Sequence, residues 1–105
     1  MLLMAAKFGV VVCPHAGGVG LCEYVIHLSL IDYIAGSGSM ERNVLEYVDH
    51  LHEHFVYPCS INSKGRYNVP IDPKEGYSIE FRDEAIKEFE FPQGSYWVGR
   101  AAEKK

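Results

Sequence analysis

The stretch Val10-Val11-Val12-Cys13-Pro14-His15-Ala16-Gly17-Gly18-Val19-Gly20 decides the fold. Its opening run, Val10 to Cys13, is continuously apolar and mostly β-branched, which fits a strand buried on both faces. A half-solvated strand would alternate apolar and polar side chains. Pro14 cannot donate to a sheet ladder and stops the run, and the glycines that follow make a tight turn. Strands buried on both faces belong to parallel sheets, so the run predicts an α/β protein.

Working outward, Leu2 to Lys7 fits the last turns of a helix, with Gly9 placed as its left-handed terminating residue. On the other side, Leu21 to Ile34 carries apolar residues on nearly every side, with Glu23 and His27 one turn apart as the main polar stripe. Gly36-Ser37-Gly38-Ser39 closes that helix, and Val44-Leu45-Glu46-Tyr47-Val48 follows as a second strand of the buried type. The unit is β-α-β and occupies residues 1–57. Residues 58–105 form a loop-rich extension, dense in Pro, Gly, Asn and Ser, with one short helix at Arg82 to Phe89. Two parallel strands and one crossover helix cannot cover both faces of a sheet, so further strands are expected upstream of Met1.

Composition narrows the function classes. With 105 residues, 48% hydrophobic and 23% charged, the chain is ordinary globular material of one small domain. A net charge of -4, with ten scattered Lys and Arg, gives no nucleic-acid footprint. Met1 to Ala6 is far shorter than the roughly 20 apolar residues of a bilayer span, so no membrane partner is expected. The three cysteines Cys13, Cys22 and Cys59 are odd in number and lack C-x-x-C spacing. They fit free thiols in a reducing compartment inside the cell, cytoplasm or mitochondrion.

Three features could carry chemistry. His15 follows the C-terminal end of a buried strand, where active sites of parallel α/β folds sit, and an imidazole there can give or take a proton near neutrality. The alternative is a histidine capping a loop carbonyl. Glu46 lies inside an apolar strand, where a carboxylate costs several kcal/mol unless a charge or donor meets it. It points inward in a closed barrel, or else it belongs to a structural ion pair. His50-Leu51-His52-Glu53-His54 satisfies the H-x-x-E-H pattern of zinc peptidases, provided that His50 and His54 share a helix face. No convincing third ligand follows it, and a hydrogen-bonded histidine-rich turn is the competing reading. Gly17-Gly18-Val19-Gly20 is not a phosphate cradle, since Glu23 stands at the third glycine position.

Taken together, the run from Cys13 to Glu23 and the run Glu46-Tyr47-Val48-Asp49-His50-Leu51-His52-Glu53-His54-Phe55 resemble the L-fuconate dehydratases of the enolase superfamily. The resemblance extends through Pro73 to Glu80 and Phe91-Pro92-Gln93-Gly94. It implies the C-terminal β-α-β portion of a modified TIM-type barrel, with Val10 to Cys13 and Val44 to Val48 as its last two strands. It also implies that His15 is the general acid/base that protonates the departing 3-hydroxyl and the enol carbon, and that Glu46 helps to stabilise the enediolate. The family's Mg2+ carboxylates, its Lys-x-Lys motif and the aspartate that orients the histidine have no counterpart in these residues. The isolated chain is therefore expected to bind no cofactor and to be inactive alone, Mg2+ and L-fuconate belonging to the parent enzyme. Two other readings stand beside it. One is an interaction module or self-associating homo-oligomer joined through uncovered strand edges; the other is a small zinc protein built on His50, His52 and His54.

Overall fold

The helix that organises the chain is α2, Leu21–Ile31, and the computed structural model describes residues 1–69 and 79–103 around it. Its Cys22, Glu23, Val25, Ile26 and Ser29 are buried, and Leu45, Tyr47 and Val48 pack against its core side with Ala16. Beyond Ile31 the helix widens into a π-helical segment, Asp32–Ser37, and stops at Gly38 with φ 60°. The expected Gly-Ser closure is therefore met. Upstream, α1 spans Leu2–Lys7. The N–H groups of Gly9 and Val10 donate to the Ala6 and Ala5 carbonyls, a Schellman ending for which Gly9 supplies a φ of 67°.

The start of α2 depends on Gly20. Its φ is 76°, and a Cβ there would stand 2.9 Å from the Phe55 ring. Phe55 is 1% exposed and forms an isolated antiparallel bridge with Phe81. The Val56 N–H donates to the Glu80 carbonyl, and the Arg82 N–H to that of His54. A second bridge, Ile61 to Tyr67, closes a turn in which the Lys64 and Arg66 N–H groups donate to the Asn62 side chain. Helix α3, Asp83–Phe89, forms where the short helix was expected, and α4, Ser95–Glu103, is a further one. The two are joined by aromatic contacts between Phe89 and Tyr96 and between Phe91 and Trp97, and Trp97 Nε1–H donates to the Phe89 carbonyl.

The expected β-α-β ladder is not present among the described residues, which contain isolated bridges only. Val44 to Val48 has its backbone groups engaged by side chains instead. The Val48 N–H donates to Cys22 Sγ, its carbonyl accepts from His52, and the Glu46 carbonyl accepts from the Tyr67 hydroxyl. A parallel pair is weak per residue and is stable only when both faces are covered. Here Val10 and Val44, expected to be buried, are 61% and 56% exposed. The radius of gyration of 17.2 Å also exceeds the roughly 13 Å of a compact domain of this size. Residues 70–78 carry most of the Pro73 to Glu80 segment of the resemblance, and they lie outside the described residues.

Candidate active site

His15 and Glu46, the two candidates of the sequence, meet. His15 Nδ1 lies 2.7 Å from Glu46 Oε2, and the same oxygen accepts the Ala16 N–H at 2.5 Å. A carboxylate accepts and does not donate, so the proton sits on His15 Nδ1 and Nε2 of the neutral ring carries the lone pair. The Ala16 N–H is the main reason that the Glu46 carboxyl is held below its ordinary value of 4.5; desolvation opposes it, and His15 adds to the lowering. The ring rests over Gly17, where a Cβ would stand 2.7 Å from Cε1 and 2.8 Å from Nε2. The sequence left this imidazole without an orienting group. The structure corrects that, because Glu46 takes its Nδ1–H.

A second histidine-carboxylate pair lies deeper. His52 Nδ1 is 2.6 Å from Glu23 Oε1, their side chains being 16% and 2% exposed. His52 Nε2 meets the Val48 carbonyl, which can only accept, so Nε2 carries a proton as well. Burial disfavours a charged His52, but hydrogen bonds to Glu23 and Val48 outweigh it and raise its pKa above the ordinary 6.5. Cys59 donates its N–H to Glu23, and its thiol lies 3.6 Å from His52 Nδ1. Desolvation, followed by the nearby Glu23 charge, pushes that thiol up strongly. Tyr47 stacks on His52 with ring centroids 5.3 Å apart and meets Tyr67 edge-on.

This cluster was not found by sequence reasoning. Glu23 was read as part of the helix's main polar stripe, and the spacing of Cys22, Glu23, His52 and Cys59 gives no local pattern. The one available signal was a carboxylate in a helix that is apolar nearly all round. The zinc-peptidase reading of residues 50–54 fails on backbone geometry. The segment is a bend and turn with Leu51 at φ 69°, so His50 and His54 share no helix face. His50 is exposed beside Asp49, while His54 packs edge-on against Phe89.

No family model matches the chain. Individual proteins do. Mitochondrial enolase superfamily member 1 of Xenopus laevis is 56% identical over 105 residues, all of this chain and 23% of the relative. The L-galactonate dehydratase of Hypocrea jecorina is 50% identical over 99 residues, 92% of this chain and 21% of its own length. The crystal structure of human mitochondrial enolase superfamily member 1 superposes with a TM-score of 0.85 at 55% identity, covering 94% of this chain and 22% of that one. This chain is homologous to enolase superfamily proteins. It spans under a quarter of the length of the relatives it matches.

Mg2+ asks for hard oxygen donors in near-octahedral array. Among the described residues, the His, Cys, Asp and Glu ligand atoms that converge in a group of three are those of Cys22, His52 and Cys59. Two sulfurs and a nitrogen do not suit Mg2+. The described residues therefore do not fit the ion that the resemblance implies. No helix among them is long and apolar enough to cross a membrane.

Proposed function

We propose that the chain is the C-terminal, histidine-bearing part of an acid-sugar dehydratase that converts L-fuconate to 2-keto-3-deoxy-L-fuconate in a Mg2+-dependent reaction. The supporting observation is the His15 Nδ1 to Glu46 Oε2 contact at 2.7 Å, which fixes the tautomer and leaves Nε2 to move the proton. A protonated Nε2 gives its proton to the 3-hydroxyl, which leaves as water. Once solvent has reprotonated it, the same nitrogen delivers a proton to the enol carbon while the enol hydroxyl gives up its own to water. We assign Glu46 to positioning this ring. Stabilising an enediolate, the role implied by the resemblance, needs a proton on that carboxyl, whereas the Ala16 N–H and His15 both favour its ionised form. L-Fuconate is L-galactonate without its 6-hydroxyl, so the substrate in one relative's name is consistent with the same stereochemistry.

The α-proton base and the metal carboxylates belong, on this reading, to the remainder of the parent enzyme, and the isolated chain is inactive. The relatives' mitochondrial names favour the mitochondrion over the cytoplasm. The test is a chimera in which this chain replaces the matching segment of the Hypocrea jecorina L-galactonate dehydratase. Keto-acid formation from L-galactonate and L-fuconate is expected in the chimera and absent in the isolated chain supplied with Mg2+. A chimera that folds yet keeps full activity with His15→Asn would overturn the assignment of His15.

A second reading, self-association, is favoured by the exposure of Leu3, Met4, Val10 and Val44 along uncovered segments. Sedimentation of the purified chain distinguishes it. A stable dimer supports this reading, and a monodisperse monomer removes it.

A further inference from the structure

Beneath the candidate active site, Cys22, Cys59 and His52 converge without taking part in the proposed chemistry, with the Glu23 carboxylate beside them. Cys22 Sγ, a ring nitrogen of His52 and Cys59 Sγ all lie within 4.8 Å of one another, on three separate parts of the chain. Cys22 is 2% and Glu23 3% exposed. We propose that Cys22, His52 and Cys59 form a Zn2+ site, with Glu23 as the neighbouring counter-charge.

The spacing fits the ion. Zn–S bonds of about 2.3 Å and Zn–N bonds of about 2.0–2.1 Å at a tetrahedral angle put sulfur and nitrogen about 3.6 Å apart. Cys59 Sγ lies 3.6 Å from His52 Nδ1. Glu23 is not one of the converging ligands, and its Oε1, now 2.6 Å from His52 Nδ1, must swing aside to admit the ion.

The surroundings fit as well. His52 gives its Nε2–H to the Val48 carbonyl, which directs Nδ1 at the cluster, as backbone carbonyls do for metal-bound histidines. Cys22 Sγ accepts the Val48 N–H at 3.4 Å, a contact that a thiolate would keep, and its thiol faces the Ala16 carbonyl at 3.8 Å, a donor contact that metal binding would give up. Binding releases three protons, one from each thiol and one from His52 Nδ1, so Zn2+ replaces the proton that now joins His52 to Glu23. The exposed Cys13 takes no part. The site is distinct from the H-x-x-E-H reading, in which His50 and His54 were the ligands.

The test uses the whole chain, loaded with Zn2+ or with Co2+ as a coloured probe. Expected are one Zn2+ per chain, a thiolate-to-cobalt charge-transfer band, and reaction of Cys13 alone with a maleimide until a chelator exposes Cys22 and Cys59. Cys22→Ser or Cys59→Ser should lower Zn2+ affinity by at least about 100-fold, and Cys13→Ser or a His50→Ala, His54→Ala double variant by less than about 3-fold. Zn2+ that leaves Cys22 and Cys59 as reactive as in the chelated protein overturns the site. So does a cobalt complex without the sulfur band. Both readouts use the unsubstituted chain, so they decide the question even if a variant fails to fold.

Discussion

Among the described residues, two histidines hold a glutamate through Nδ1. His15 Nδ1 meets Glu46 at 2.7 Å, and His52 Nδ1 meets Glu23 at 2.6 Å. What differs is solvent. The His15 and Glu46 side chains are 79% and 40% exposed, the His52 and Glu23 side chains 16% and 2%. At the surface, water and salt screen the attraction and the pair contributes little to stability, but a free ring nitrogen can reach a substrate. In the interior both ring nitrogens are engaged, and the pair acts on the packing around it. The same chemical contact thus leaves a ring nitrogen open to solvent in one place and is sealed into the packing in the other.

The contrast is most directly broken at His52. In zinc-free buffer, His52→Ala strands a buried Glu23 carboxylate and should cost about 3–5 kcal/mol in urea denaturation, and adding Glu23→Leu should recover most of it. His15→Ala should cost less than about 0.5 kcal/mol in the same experiment. Equal losses would mean that burial does not separate the two pairs. In the dehydratase chimera the order reverses. His15→Asn should lower kcat by about 10²–10⁴-fold with the melting curve unchanged.

Gly17→Ala sharpens the comparison, since its new Cβ must displace a ring held 2.7–2.8 Å away. A loss of about 10–100-fold in kcat, without loss of fold, is expected in the chimera. An unchanged rate would show that the ring position over Gly17 is not the productive one. The smallest effect is the pH dependence at Glu46. Its folded pKa is lowered, so the stabilisation is fully present above the unfolded value near 4.5 and fades as pH falls through the folded value. The difference in melting temperature between the parent chain and Glu46→Gln should therefore persist at pH 6 and close in acid. A gap that widens below pH 4.5 would reverse the sign and refute the contact's role.

What could be read in the sequence followed local rules. The Gly9 ending of α1, the apolar helix beginning at Leu21 and the short helix before Phe89 all follow from periodicity and turn chemistry. His15 and Glu46 stood out because a polar residue at a strand end or inside an apolar run asks for a partner. Their meeting was not legible, since it joins residues thirty-one positions apart. Val10 to Cys13 and Val44 to Val48 were read correctly as apolar, but a ladder depends on neighbouring elements and not on the run itself. Helix α4 was missed because Tyr96-Trp97-Val98-Gly99 has weak helix propensity. Aromatic contacts with Phe89 and Phe91 hold it instead.

The Gly20-Phe55 contact also constrains how the sequence can drift. Any side chain at 20 would meet both a left-handed backbone and an aromatic ring that is itself locked to Phe81. Smaller residues at 55 would relieve only the second obstacle. Among descendants of this chain, substitutions at 55 are therefore expected to be tolerated before any at 20, and a change at 20 should appear only on a background where 55 has already shrunk.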